Sequence, residues 1–334
     1  MLHMRSRTYA AGVAGTLLAV AGTASAHVGY VLSDAEMARQ AGTRWEFLLT
    51  PLRNPVDLGI MGGTLFVALA AYVIAIRTPW ARRKTADIAR HAASYEELVA
   101  WMLRLGLGIA LIGAGLAGNV VSPLLESAVF IGKLQILLGF LLLLGFLLAP
   151  ALWIVLGLYL TAVMNEPYIL GNAEFAAAAI ALILLGRRRP GLDEMLDVPF
   201  FAALTGFRHY VPLLLRVGLG GAMAYLAVYE KFLNPNASAL VVVKTRLQDV
   251  VPVDASLWVL GAGLTELAIG LAIAAGFKTR LFSAAAFMVL SLSFFYFGED
   301  VYSHITLFAV LSAIFVLGNR APSVDEWLKQ RARS

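Results

Sequence analysis

The chain has 334 residues, of which 60% are hydrophobic and only 14% charged; its net charge is +5 and its mean hydropathy +0.79. A soluble domain of this length carries about a quarter charged residues, so long uninterrupted apolar runs at this composition indicate a polytopic membrane protein, all-α in class. The basic excess lies in short loops between apolar runs, where membrane orientation explains it and nucleic acid is not needed as a partner. There is no cysteine, which excludes disulfides, thiolate metal sites and CxxC relays.

Residues 1–26 read as a signal peptide: a basic "MLHMRSR", an apolar core, and "ASA" at 24–26 before His27. The other reading is an uncleaved first anchor. Cleavage after Ala26 would expose His27 as the first residue, whose amine and ring nitrogen suit copper; signal processing alone also accounts for it. Residues 27–56 are expected to form an extracytoplasmic amphipathic segment lying on the membrane surface, with Tyr30, Trp45 and Phe47 as its aromatic residues.

Nine transmembrane helices are expected near 57–76, 101–120, 128–148, 151–165, 172–187, 210–230, 256–276, 281–297 and 303–318. The first of these and a basic loop make up residues 57–100. The third and fourth are divided at Pro150, since helices tend to end before proline. With nine spans, basic loops at 77–91, 187–189, 277–280 and the C-terminus all fall on one side. The positive-inside rule then puts the C-terminus in the cytoplasm and the mature N-terminus outside the plasma membrane.

A charged phrase occurs twice, as "LGRRRPGLDEML" at 185–196 and "LGNRAPSVDEWL" at 317–328. Each copy closes a longer segment, about 101–197 and 210–329, and each segment opens alike, with "LRLGLG" at 103–108 and "LRVGLG" at 215–220. Gly139, Gly145 and Phe146 align with Gly270, Gly276 and Phe277. Four helices per repeat give the two copies parallel topology. The shared phrase reads as a helix stop at the membrane surface followed by the start of a short amphipathic helix. Where the second repeat has an ionisable residue, the first has a neutral one: Glu230-Lys231 aligns with Gly118-Asn119, Glu266 with Gln135, and His304 with Asn172. Only the opening basic residue survives in both, as Arg104 and Arg216. Charge within lipid costs about 2.5–3.5 kcal/mol on insertion scales, so the second repeat is expected to be the working copy.

That second repeat runs from Arg216 through "VYEKFLNP", "LTELAIGLAIAAGFKTRL" and "HITLFAVLSAIFVLG". It resembles the DoxX family of four-helix membrane proteins, a resemblance that covers about 120 residues and extends faintly to the first repeat. The resemblance implies a subunit or partner of a membrane oxidoreductase, one branch being similar to the large subunit of thiosulfate:quinone oxidoreductase. It matches Arg216, Lys231, Glu266 and Arg280 to the family's polar positions. The chain then reads as a quinone-linked redox component partnered by other membrane or extracytoplasmic redox proteins, with Glu266 as proton acceptor and Lys231, His304, Arg216 and Glu230 as substrate or quinone contacts. The alternatives are a non-enzymatic scaffold or assembly partner, in which these residues only pair with one another, and a small-solute or ion carrier. No motif encodes haem, flavin or an iron–sulfur cluster.

Overall fold

The computed structural model describes residues 28–40, 45–186, 191–197, 202–320 and 322–331. The signal-peptide residues and His27 lie outside the described residues. Helices dominate, and among the described residues seven are long and apolar enough to cross a membrane, with two shorter apolar helices beside them. The protein is a multi-pass membrane helix bundle.

On one end lie two short helices, α1 (Asp34–Gln40) and α2 (Trp45–Arg53). The first long span, α3 (Pro55–Arg77), opens on an Asn54 cap and leads through Thr78 into an amphipathic basic helix, α4 (Pro79–Ala93). Then come α5 (Val99–Ala117), a small hairpin of β1 (Asn119–Val120) and β2 (Ser122–Glu126), α6 (Val129–Leu144), α7 (Leu148–Asn165) and α8 (Ala173–Leu185). The second set comprises α9 (Val211–Leu226), an outlying helix α10 (Pro235–Lys244), α11 (Ala255–Ala275), α12 (Thr279–Phe297) and α13 (Val301–Leu317); α14 (Val324–Arg331) closes the chain.

The break between α6 and α7 falls earlier than the proline predicts. Gly145 adopts a left-handed conformation (φ 65°), the Phe146 N–H returns to the Leu141 carbonyl, and Leu147 (φ 48°) starts the next helix. Pro150 sits in the first turn of α7, where its missing N–H has no helical partner to lose. The same construction recurs between α11 and α12, with Gly276 (φ 72°), a Phe277 N–H bond to the Ala272 carbonyl, and Lys278 (φ 43°).

The twice-written phrase has a job at these breaks. Asp193 accepts the Leu147 and Leu148 N–H groups, both at 2.8 Å, while its own N–H donates to the Gly145 carbonyl. Asp325 accepts the Lys278 N–H at 3.0 Å, and its N–H reaches the Gly276 carbonyl. Both carboxylates are buried. Each satisfies orphan donors at a helix N-terminus, where a negative charge is also favoured by the helix dipole. The conserved opening arginines serve the same end of the bundle. Arg104 donates to the Leu142 and Leu143 carbonyls at 2.8 and 2.9 Å, capping α6. Arg216 donates to the Pro212 and Pro322 carbonyls. Their guanidinium groups lie against Gly145 and Gly276, where a Cβ would collide with them.

Within each set the first two helices cross backbone to backbone. A Cβ on Gly139 would strike the Gly108 carbonyl, and one on Gly270 the Gly220 carbonyl. The fourth helices do something the spacing does not reveal. α13 packs mainly on α5, and α8 mainly on α9, so each set lends its last helix to the other. The contacts correspond: Gly106 is pressed against Ala309, and Gly218 against Ala177. The largest hydrophobic core therefore runs through both sets, from Leu103 and Leu107 to Leu215, Val310 and Ile314.

The N-terminal segment caps one end of this bundle. Val28 and Leu32 pack with Ala237 and Val241, and Leu48 with Val242 and Val259. Lys244 bonds both Glu36 oxygens, at 2.9 and 3.1 Å, fastening α1 to α10. This hydrogen bond, then the Ser33 N–H and hydroxyl, hold the Glu36 carboxyl down to about 2 from an ordinary 4.5. Because the folded value is depressed, the fastening is fully present above pH 4.5 and is lost as the pH falls through about 2. Electron-resonance distances between labels on α1 and α10 should stay fixed down to pH 4.5 and broaden toward 2. Lys244→Ala should show the broad distribution already at neutral pH; a narrow one there would show that apolar packing alone holds the segment.

Candidate functional site

The site begins where α9 stops being an α-helix. Residues Ala227–Leu233 form a π-helical turn, and Pro235 then opens α10. Widening a turn frees carbonyls that must find other donors. The Asn234 side-chain amide supplies the Tyr229 carbonyl at 2.9 Å, and the Ser238 hydroxyl the Glu230 carbonyl at 2.7 Å. The widened turn turns two consecutive charged residues inward together: Glu230 is 2% exposed, and the Lys231 side chain 11%.

Lys231 donates to one oxygen of Glu230, and the Tyr168 hydroxyl donates to the other. Tyr168 comes from the short 3-10 stretch Pro167–Asn172 ahead of α8, in the other four-helix set. An aromatic row holds it: Tyr168 meets Tyr229 edge to face at 5.3 Å, Tyr229 stacks on Tyr225 at 5.8 Å, and the Tyr225 hydroxyl donates to the Pro167 carbonyl.

Glu266 is the twelfth residue of α11, about 17 Å along a helix rising 1.5 Å per residue. It is an electrostatic neighbour of Lys231. Gly263, one turn earlier on the same face, makes the room, since a Cβ there would press on the Lys231 stem at 2.8 Å. The π turn thus takes in Lys231, just past the helix expected to end near 230, within the apolar stretch Leu204–Leu233.

The aligned place in the other set is neutral and differently used. The Gln135 amide accepts the Val121 N–H at 2.9 Å and donates to the Asn119 carbonyl at 2.7 Å. The Asn119 side chain in turn donates to the Tyr302 hydroxyl at 3.0 Å. What is a charge cluster in one set is a loop clamp in the other.

The remaining sequence candidates go elsewhere. His304, buried, bonds Glu299 through Nε2 at 2.7 Å and Ser303 through Nδ1 at 2.7 Å, with Phe294 edge-on at 5.9 Å. Arg216 sits at the opposite end of α9, among helix termini, and Arg280 caps α13 through the Phe315 and Val316 carbonyls at 2.9 and 3.1 Å. Sequence reasoning missed Tyr168, which showed only as an aromatic residue after a proline at a helix junction. Among the described residues, no three His, Asp or Glu side chains gather as metal ligands.

Residues 211–299 match the DoxX family model. The chain carries a DoxX domain. No curated protein and no solved structure matches the chain. The DoxX domain spans α9 to α12 and contains Arg216, Glu230, Lys231, Glu266, Arg280 and Glu299, whereas Tyr168 and His304 lie outside it. Its polar group is thus completed from beyond the matched segment. Chemically, the group sets one ammonium against two carboxylates. Lys231 balances one negative charge, so uptake or release of a proton by the second carboxylate changes the net charge of the group by one.

Proposed function

We propose that the protein is a quinone-linked component of a membrane redox system, with Lys231, Glu230, Glu266 and Tyr168 as its proton-handling site. The observation that carries this reading is the single ammonium serving two carboxylates inside an apolar bundle, an arrangement too costly in lipid to be idle. A quinone suits the group: the Lys231 ammonium has donors beyond the one given to Glu230, which suit a carbonyl oxygen, and a Glu266 carboxylate is an acceptor for a hydroxyl. When bound, the quinone would supply the two-electron, two-proton chemistry. Glu266 would take one of the two protons a quinol gives up, the other passing to water as the two electrons leave; Lys231 would orient the head group and steady the carboxylate charge, while Tyr168 and Lys231 hold Glu230 in place. With no cysteine to ligate a cluster, electrons would pass to a partner protein, membrane-bound or extracytoplasmic. Purification in mild detergent followed by mass spectrometry should recover a bound quinone and a redox subunit. Recovery of neither, from protein shown to be folded, would overturn the reading.

A scaffold reading is favoured by one observation: both Glu230 oxygens are bonded, one of them across the two four-helix sets. On that reading the group joins the sets and moves no proton.

Two further features belong to this proposal. The set α5–α8 is a degenerate second DoxX-like module, supported by the recurring caps at Gly145 and Gly276, the paired Asp193 and Asp325, and the corresponding crossings at Gly106 and Gly218. The C-terminus faces the cytoplasm and the polar group lies toward the outer face. Since the chain has no native cysteine, single cysteines at 85 and near the C-terminus should react with impermeant reagent only after the membrane is opened. One at 240 should react in intact cells, and the reverse pattern would invert the orientation.

A further inference from the structure

We propose that the groove between α4 and the bundle is a binding site for one anionic phospholipid, which fastens the α3–α4 arm to the rest of the protein. The groove has a volume of about 570 Å³, within the range of sites that hold small molecules. Its surface is mostly apolar, with Ile88, Met102, Phe315 and Val316 in the lining, and among the described residues Lys84 is its one cationic side chain. That composition suits an acyl chain with an anionic head group at Lys84. His91 Nδ1–H donates to the Asp87 carbonyl at 3.0 Å, so Lys84 is the donor in the groove for a phosphate. Asp87, the acid on the rim, is bonded by Arg90 at 2.6 Å, which offsets its repulsion of an anion. Trp80, Trp101 and Trp327 are exposed, as aromatic residues are at the level of lipid head groups.

The reason for a lipid rather than a soluble anion lies in the arm itself. α3 is a 23-residue span whose membrane window is only 6% buried by protein. Its hydrocarbon-facing side chains, Phe66 and Val67 among them, contact little of the bundle. α4 returns from the end of α3 to pack on α13. The gap between them is lined mostly by apolar side chains and carries Lys84. A basic pocket between helices at the interface attracts anionic head groups.

The test uses the full chain in detergent, titrated with phosphatidylglycerol, phosphatidylcholine of the same acyl chains, or inorganic phosphate. Native mass spectrometry counts retained lipid, and thermal unfolding reads its effect. One phosphatidylglycerol per chain should be retained and should raise the unfolding temperature; phosphatidylcholine and phosphate should not. Lys84→Glu should weaken retention about tenfold or more, whereas Arg82→Glu, off the groove, should leave it within about twofold. Should Lys84→Glu not fold, Lys84→Gln provides the same comparison with a smaller loss. Equal retention of phosphatidylcholine, an equal loss in Arg82→Glu, or an equal rise with phosphate alone would each overturn the proposal.

Discussion

Glu266→Gln is expected to abolish proton-coupled activity while leaving the protein folded. The change keeps the shape of the side chain and removes its capacity to ionise. An amide already stands at the aligned place in α6, where Gln135 forms two backbone hydrogen bonds, so a residue of that size and polarity suits this level of the helix. A positioned general base contributes about 10²–10⁴ in rate, so the loss should be of that order. Quinol-dependent proton release from reconstituted vesicles would measure it, with detergent-extracted protein level as control. Normal turnover in the variant would remove Glu266 from the chemistry; loss of the folded protein instead would favour the scaffold reading.

Lys231→Met is expected to produce the largest loss of stability of any single change in the bundle. It leaves Glu230, 2% exposed, without its ammonium, and breaking a buried pair from one side costs about 3–5 kcal/mol. Changing both partners, Glu230→Gln with Lys231→Met, should recover most of that loss, because a neutral pair of similar volume carries no stranded charge. Tyr168→Phe should cost less, about 1.5–3 kcal/mol for one hydrogen bond to a charged group. Unfolding in mild detergent of the parent, Glu230→Gln, Lys231→Met and the double variant would give the cycle, with Tyr168→Phe measured beside them. If Lys231→Met unfolds like the parent, Glu230 is not held by that ammonium and the proposed site has no centre.

Much of this architecture was legible in the sequence, and the parts that were not have a common cause. Apolar length and loop charge marked nine helices, and the family resemblance rested on Arg216, Lys231, Glu266 and Arg280, all within the matched segment. The boundary at Pro150 moved because Gly145 and Leu147 supply the break, and proline is harmless in a first turn. The repeated Asp–Glu phrase looked like a helix start in its own right. It does start one, at Leu192–Met195 and at Val324–Arg331; what the sequence did not show is that its aspartates also cap a helix some 45 residues away, as the Asp193 bond to Leu148 does. The helix expected near 210–230 stopped just short of Lys231; the π turn that draws it inward was invisible without its partners Asn234 and Ser238. Tyr168 depends on contact between sets, which periodicity along one segment does not report.

The exchange of fourth helices also sets a schedule for biogenesis. α5 leaves the ribosome well before α13, one of its main packing partners. Until α13 has been made, the α5 face that carries Gly106 has only lipid or a chaperone to rest against. A chain stopped near residue 300 would retain every residue of the matched DoxX segment and still leave its first half unfinished. Quality control in the membrane would meet such a product as an orphaned early helix, and the fault would appear in the part of the protein farthest from the truncation.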